Sequence, residues 1–91
     1  NRNQLRYFVA AAESRSFTKA ADQFFISQTA VTQQIRLLEE MLGCPLFDRS
    51  TRPVSLTPAG KAFLMLLRAR RRRGQQHLEQ VNVSIGVEIL D

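Results

Sequence analysis

The sequence predicts a mainly α-helical domain: a three-helix bundle, a two-stranded hairpin and a long fourth helix. Three observations lead there. Apolar residues recur at helical spacing through residues 5–12 and again through 31–42. Gly43 and Pro45 stop that second pattern, and two short alternating runs, 46–49 and 54–57, flank the turn-forming Ser50-Thr51-Arg52-Pro53. Thr57-Pro58 then offers a helix cap followed by proline at the first helical position. Ninety-one residues suffice for one well-packed core.

The first helix is expected over residues 3–14, with Leu5, Phe8, Val9 and Ala12 as its apolar stripe. Arg2, Arg6 and Arg15 fall off that stripe; they could touch a DNA backbone, but solvated surface is the favoured reading for each. The second helix, 18–24, is capped by Ser16 or Thr18. It carries Ala20 and Ala21, whose small side chains let another helix cross closely. Phe25 stands where such a turn often uses glycine, so either the turn is built differently or an aromatic residue is strained there.

Ser27 is the expected cap of the third helix, with Ile26 and Val31 spaced as a hydrophobic staple. Val31, Ile35, Leu38 and Leu42 form its buried face. The opposite face holds Gln28, Thr29, Thr32, Gln33 and Arg36, with no acid before Glu39. Short amides and hydroxyls hydrogen-bond base edges, and arginine pairs with phosphate. The second and third helices therefore read as a helix-turn-helix, with the hairpin as a wing. Arg49 and Arg52 would flank a duplex backbone or enter a minor groove, the alternative being an ordinary basic hairpin tip.

Beyond Pro58 the fourth helix is apolar on most of its circumference. Ala62, Phe63, Leu64, Met65, Leu66 and Leu67 exceed what a small bundle covers, which calls for a second copy of the chain. Ala59, Ala62, Phe63, Leu66 and Leu67 are expected to cover the domain's own core, leaving Leu64 and Met65 on other faces. The consecutive bases Arg70–Arg73 surround the helix and read as a solvated run or a phosphate contact. Gly74 is an expected stop, and 82–90 alternates weakly like a strand. The expected organisation is a DNA-binding domain over 1–57, a linker and dimerisation helix over 58–81 interrupted near 74, and a tail over 82–91.

The net charge of +5 divides into +8 over residues 1–78 and −3 over 79–91. A basic body suits a polyanion. The longest apolar run, 62–67, is too short to span a bilayer, so no membrane partner is expected. The single cysteine, Cys44, sits between Leu42 and Leu46 as a small packing residue and fits a reducing, cytoplasmic setting. One Cys and one His, His77, cannot supply four metal ligands. No paired acids or glycine-rich phosphate loop is spaced for catalysis, so neither enzyme activity nor a cofactor is expected. The chain opens on Asn1, which suggests a trimmed start.

Taken together, residues 4–67 resemble the N-terminal winged helix-turn-helix of LysR-type transcriptional regulators. The resemblance rests on Leu5-Arg6-Tyr7-Phe8-Val9, Ser16-Phe17-Thr18-Lys19-Ala20-Ala21, Ser27-Gln28 with Ala30-Val31, and Gln34-Ile35-Arg36 with Leu38-Glu39. It continues through Gly43-Cys44-Pro45-Leu46-Phe47 with Arg49 and through Leu56-Thr57-Pro58-Ala59-Gly60. It implies a bacterial regulator that binds double-stranded promoter DNA as a homodimer or higher homo-oligomer. Gln28, Thr29, Thr32 and Gln33 would face bases, while Thr18, Ser27, Arg36, Arg49 and Arg52 would hold phosphates. Thr29 departs from the proline of many relatives, and Arg70–Arg73 departs from the family's linker helix. The small-molecule effector domain that would follow the linker is absent from these residues. The rival reading is a winged-helix module for non-specific nucleic-acid or protein contacts, which would expect lysines or acids on the third helix.

Overall fold

In a computed structural model, the backbone is described for residues 2–90 and side chains for residues 2–74. The chain forms a winged helix-turn-helix: α1 (Arg2–Ser14), α2 (Phe17–Phe24), α3 (Gln28–Leu42), β1 (Phe47–Asp48), β2 (Ser55–Leu56) and α4 (Pro58–Leu90).

Phe8 and Ala11 of α1 are fully buried, and Gln4 lies in line with them. The expected stripe is therefore rotated: Leu5, Val9 and Ala12 pack at the edge of the core and are only half-buried. The rotation lets α2 approach through Ala20 and Ala21, which are 0% and 2% exposed. It also buries a polar group, and the Gln4 Nε2 amide donates to Gln34 Oε1 of α3 at 3.2 Å. Such a partner offsets the desolvation of the amide.

Ser16, rather than Thr18, caps α2, its Oγ accepting from the Lys19 N–H at 3.1 Å. At the other end Phe25 adopts the left-handed conformation (φ 57°, ψ 40°), and its N–H reaches the Ala21 and Asp22 carbonyls. This is the strained alternative. An aromatic residue occupies a helix-ending position that glycine normally fills, and Phe25 is 95% exposed, so nothing in the core compensates.

Ser27 caps α3 as expected, accepting from the Ala30 N–H at 3.1 Å. Val31, Ile35 and Leu38 are buried, with Ile26 packed against the same cluster. Leu42 departs from the expected stripe, at 42% exposed. It lies on the last turn, just before Gly43 (φ 75°) ends the helix.

The wing strands are shorter than the sequence suggests, pairing antiparallel as Phe47↔Leu56 and Asp48↔Ser55. Asp48 Oδ1 accepts from the Ser50 N–H at 3.0 Å and from the Ser50 hydroxyl, bonds that hold its carboxyl below the usual range. Phe47 anchors the wing among aromatic rings, with centroids 5.5 Å from Phe8 and 5.2 Å from Phe17.

Thr57 locks wing to helix. Its N–H donates to the Leu46 carbonyl at 3.0 Å, its hydroxyl donates to the Pro45 carbonyl at 2.7 Å, and its Oγ1 accepts from the Gly60 N–H at 3.0 Å. Gly60 is buried so closely that an added Cβ would lie 2.1 Å from the Leu46 carbonyl oxygen. That approach fixes the rotation of α4. Leu64 turns inward and is 6% exposed, with Phe63 and Leu67 packed beside it. Ala62 faces outward with Met65 (68% exposed) and Leu66 (64% exposed). The expected outward place of Leu64 and the expected core roles of Ala62 and Leu66 are thereby reversed.

The helix also continues through Gly74, where the sequence suggests a stop, and through 82–90, where it suggests a strand. An interior glycine costs only about 1 kcal/mol against alanine. The neighbouring Arg70–Arg73 and Gln75-Gln76 are good helix formers. Asp91 and the side chain of His77 lie outside the described residues.

Candidate nucleic-acid interface

Two capped helix starts and one hairpin build the surface. Because Ser27 fixes where α3 begins, Gln28, Thr29, Gln33 and Arg36 stand exposed on its first turns, with Thr32 half-buried among them. These five residues line one shallow depression. The four expected base-facing side chains are thus brought together on one surface. Their hydroxyls and carboxamides supply both donors and acceptors.

Beside that depression runs a groove of about 620 Å³ between the start of α2, the flank of α3 and the wing. The two share Gln28, Thr32 and Arg36. Thr18 stands at the meeting of α2 and α3, and its hydroxyl donates to Gln28 Oε1 at 3.2 Å. The bond engages the amide oxygen and leaves the NH₂ of Gln28 to donate outward. Ser27 is exposed at the start of α3; its oxygen accepts from Ala30, so its proton is free to be donated. Arg52 stands exposed at the wing tip on the far bank of the groove.

Arg49 is placed differently from Arg36 and Arg52. Its Nη2 meets Glu39 Oε1 at 3.0 Å and its Nη1 meets Oε2 at 3.3 Å, while its guanidinium lies over the Phe17 ring at 5.4 Å. Its charge is matched within the domain. Glu39 also accepts the Leu46 N–H at 2.6 Å and the Phe47 N–H at 3.3 Å. Burial pushes the Glu39 carboxyl up, but the Arg49 and backbone hydrogen bonds together outweigh it and hold the carboxyl below the usual glutamate range. Glu39 is thus a site-building residue that sequence reasoning passed over. Its signals were being the first acid after a basic face and standing in the Leu38-Glu39 pair of the family resemblance, and nothing in a ten-residue separation says that the wing folds Arg49 onto it.

The groove's electrostatics follow from its lining. Arg15, Lys19, Arg36, Arg49 and Arg52 border it, and no acid is among the described lining residues. Of these five, only Arg49 makes an ion pair among the described residues. Arg15, which the sequence reads as solvated surface, belongs to this lining. Its backbone is left-handed, with φ 56°. The described residues contain no group of three or more His, Cys, Asp or Glu side chains placed to hold a metal ion. None of the helices over the described residues is long and apolar enough to cross a membrane.

Residues 2–61 match the family model of the bacterial regulatory helix-turn-helix proteins, lysR family. The chain is similar to the HTH-type transcriptional regulator TfdS of Cupriavidus pinatubonensis, at 61% identity over 61 residues, which cover 67% of this chain and 21% of that protein. Among solved structures it is similar to the BenM DNA-binding domain in complex with benA site 1 DNA. The TM-score is 0.79 at 40% identity, covering 90% of this chain and 92% of that one. The CbnR DNA-binding domain–DNA complex is similar as well, with a TM-score of 0.76 at 34% identity, covering 92% and 97%. The matched region spans between a fifth and two-fifths of the length of the curated relatives.

Proposed function

Since this chain belongs to the lysR family of bacterial regulatory helix-turn-helix proteins, we propose that it is the sequence-specific DNA-reading unit of a transcriptional regulator, acting by binding rather than by catalysis. The observation that carries the reading is the shared surface of α3. Gln28, Thr29, Thr32 and Gln33 project with Arg36 from one exposed face, beside a groove whose described lining is basic and free of acids. Laid in a major groove, such a face hydrogen-bonds base edges, and carboxamides suit adenine best. Thr18, Ser27, Arg36 and Arg52 would hold flanking phosphates, fixing register without reading sequence. Arg49 contributes through position: paired with Glu39, it keeps the wing against α3 so that Arg52 stands across from Arg36.

The regulator would bind as a dimer through α4. Ala62, Met65 and Leu66 form an exposed apolar stripe on the side away from the domain's core. Phe63, Leu64 and Leu67 support that stripe from within. Two copies joined there would set recognition helices about one duplex turn apart, ~34 Å, or a multiple of it. The similar BenM and CbnR DNA-binding domains are each in complex with DNA, which supports the reading.

Selection of bound duplexes from a random pool tests it. The expected result is enrichment of one short motif, repeated with two-fold symmetry at a fixed spacing. Recovery of duplexes with no shared sequence, at uniform affinity, would replace this reading with non-specific binding.

A further inference from the structure

Arg15 has a position that its sequence context does not announce. It lies between the last residue of α1 and the cap of α2, off every apolar stripe, and its side chain is exposed. Yet it lines the groove that also holds Thr18, Lys19, Gln28, Arg36 and Arg52. Arg15 and Lys19 border it from the α1–α2 corner and Arg52 from the wing, with α3 between them. None of these three bases makes an ion pair among the described residues. Like charges lining one groove repel one another and attract a polyanion. Arg15 also keeps a left-handed backbone, a conformation that glycine would adopt at less cost.

We propose that Arg15 is a phosphate-binding residue of the DNA interface. With Lys19 it would form a second bank that grips one strand's backbone opposite the wing's Arg52. The inference rests on the DNA-binding reading above. It extends the backbone contacts from α3 and the wing to the α1–α2 corner.

The test uses the full chain with Arg15→Gly, Arg15→Lys and, as reference, Arg36→Ala. Each is titrated with a selected duplex and with an unrelated duplex of equal length, from about 50 to 200 mM salt. Arg15→Gly removes a charge while suiting the left-handed backbone, so its melting temperature should hold or rise. Its affinity should fall roughly five- to tenfold at 0.1 M salt, equally for both duplexes, and the log–log salt slope should flatten by about 0.9 per chain. Arg15→Lys should retain most of the slope. Unchanged affinity and slope in Arg15→Gly, beside a loss in Arg36→Ala, would overturn this inference alone. A loss in Arg15→Gly that tracks a lowered melting temperature and is not restored by lysine would overturn it too, as a structural effect. If Arg36→Ala also leaves affinity and slope unchanged, the phosphate assignments of both residues fail; if the wild-type chain binds neither duplex, the DNA-binding reading itself fails.

Discussion

Glu39 of the third helix and Arg49 of the wing meet through two hydrogen bonds, at 3.0 and 3.3 Å, and the same carboxylate accepts the N–H groups of Leu46 and Phe47. One side chain thereby binds the turn into the wing, its first strand and its only described ion-pair partner. The wing has just two residues in each strand, too few to hold itself in place by ladder bonds. Glu39 therefore shares with Phe47 and Thr57 the task of holding it over the groove.

The share carried by Glu39 has a pH signature. The folded-state pKa of Glu39 is lowered, so its stabilisation is fully present above the unfolded value of ~4.3 and is lost as pH falls through the lower folded value. Glu39→Gln should therefore flatten the fall in stability below about pH 4.5. Glu39→Ala, which also strips acceptors from Leu46 and Phe47, should cost roughly 2–3 kcal/mol at pH 7. Urea midpoints measured from pH 3 to 7 check both; parallel curves for the wild type and Glu39→Gln would refute the link.

Gly60→Ala should destabilise the domain by about 2–3 kcal/mol, because its Cβ would meet backbone rather than a side chain that can swing aside. The same substitution at Gly74, where an added Cβ meets nothing within 4 Å, should be neutral or slightly stabilising. Equal unfolding midpoints for the two variants would show that the helix shifts freely on the wing.

At Phe25, replacement by glycine should raise stability by about 0.5–1 kcal/mol. The gain is relief of a left-handed aromatic residue, reduced by the greater freedom of glycine in the unfolded chain, and no burial is lost. A lower urea midpoint for Phe25→Gly would mean that the exposed ring makes a contribution of its own.

On the recognition face, Arg36→Ala and Gln33→Ala should behave differently. Loss of Arg36 should weaken good and poor operators by a similar factor and flatten the salt slope by about one unit. Loss of Gln33 should relax preference at one base position per half-site, by roughly 1–3 kcal/mol. Titrations over all four bases at each position separate the two; a changed preference with Arg36→Ala at constant slope would reverse its assignment.

The two sides of the fourth helix give the last contrast. Leu64→Asp buries a charge in the domain's own core and should unfold it. Met65→Asp or Leu66→Asp should leave the melting temperature of the isolated domain nearly unchanged. Either should lower affinity for a two-half-site duplex far more than for a single half-site. Sedimentation velocity on both duplexes reads the outcome, and equal affinity for both in the wild-type chain would assign this face to something other than dimerisation.

Local chemistry made much of this protein legible from its sequence. Ser16, Ser27, Gly43 and Thr57-Pro58 mark helix ends through bonds that reach only a few residues, and the spacing of Val31, Ile35 and Leu38 fixes which face of the third helix looks outward. The residues expected at bases were therefore found together. Three features required the folded chain: the pairing of Arg49 with Glu39, the inward turn of Leu64 in place of Leu66, and the entry of Arg15 into the groove. Each depends on how one element is rotated or seated against another. In a helix apolar on most of its circumference, periodicity names no unique inner face. The contact of Gly60 with the Leu46 carbonyl, fourteen positions away, supplies the missing phase.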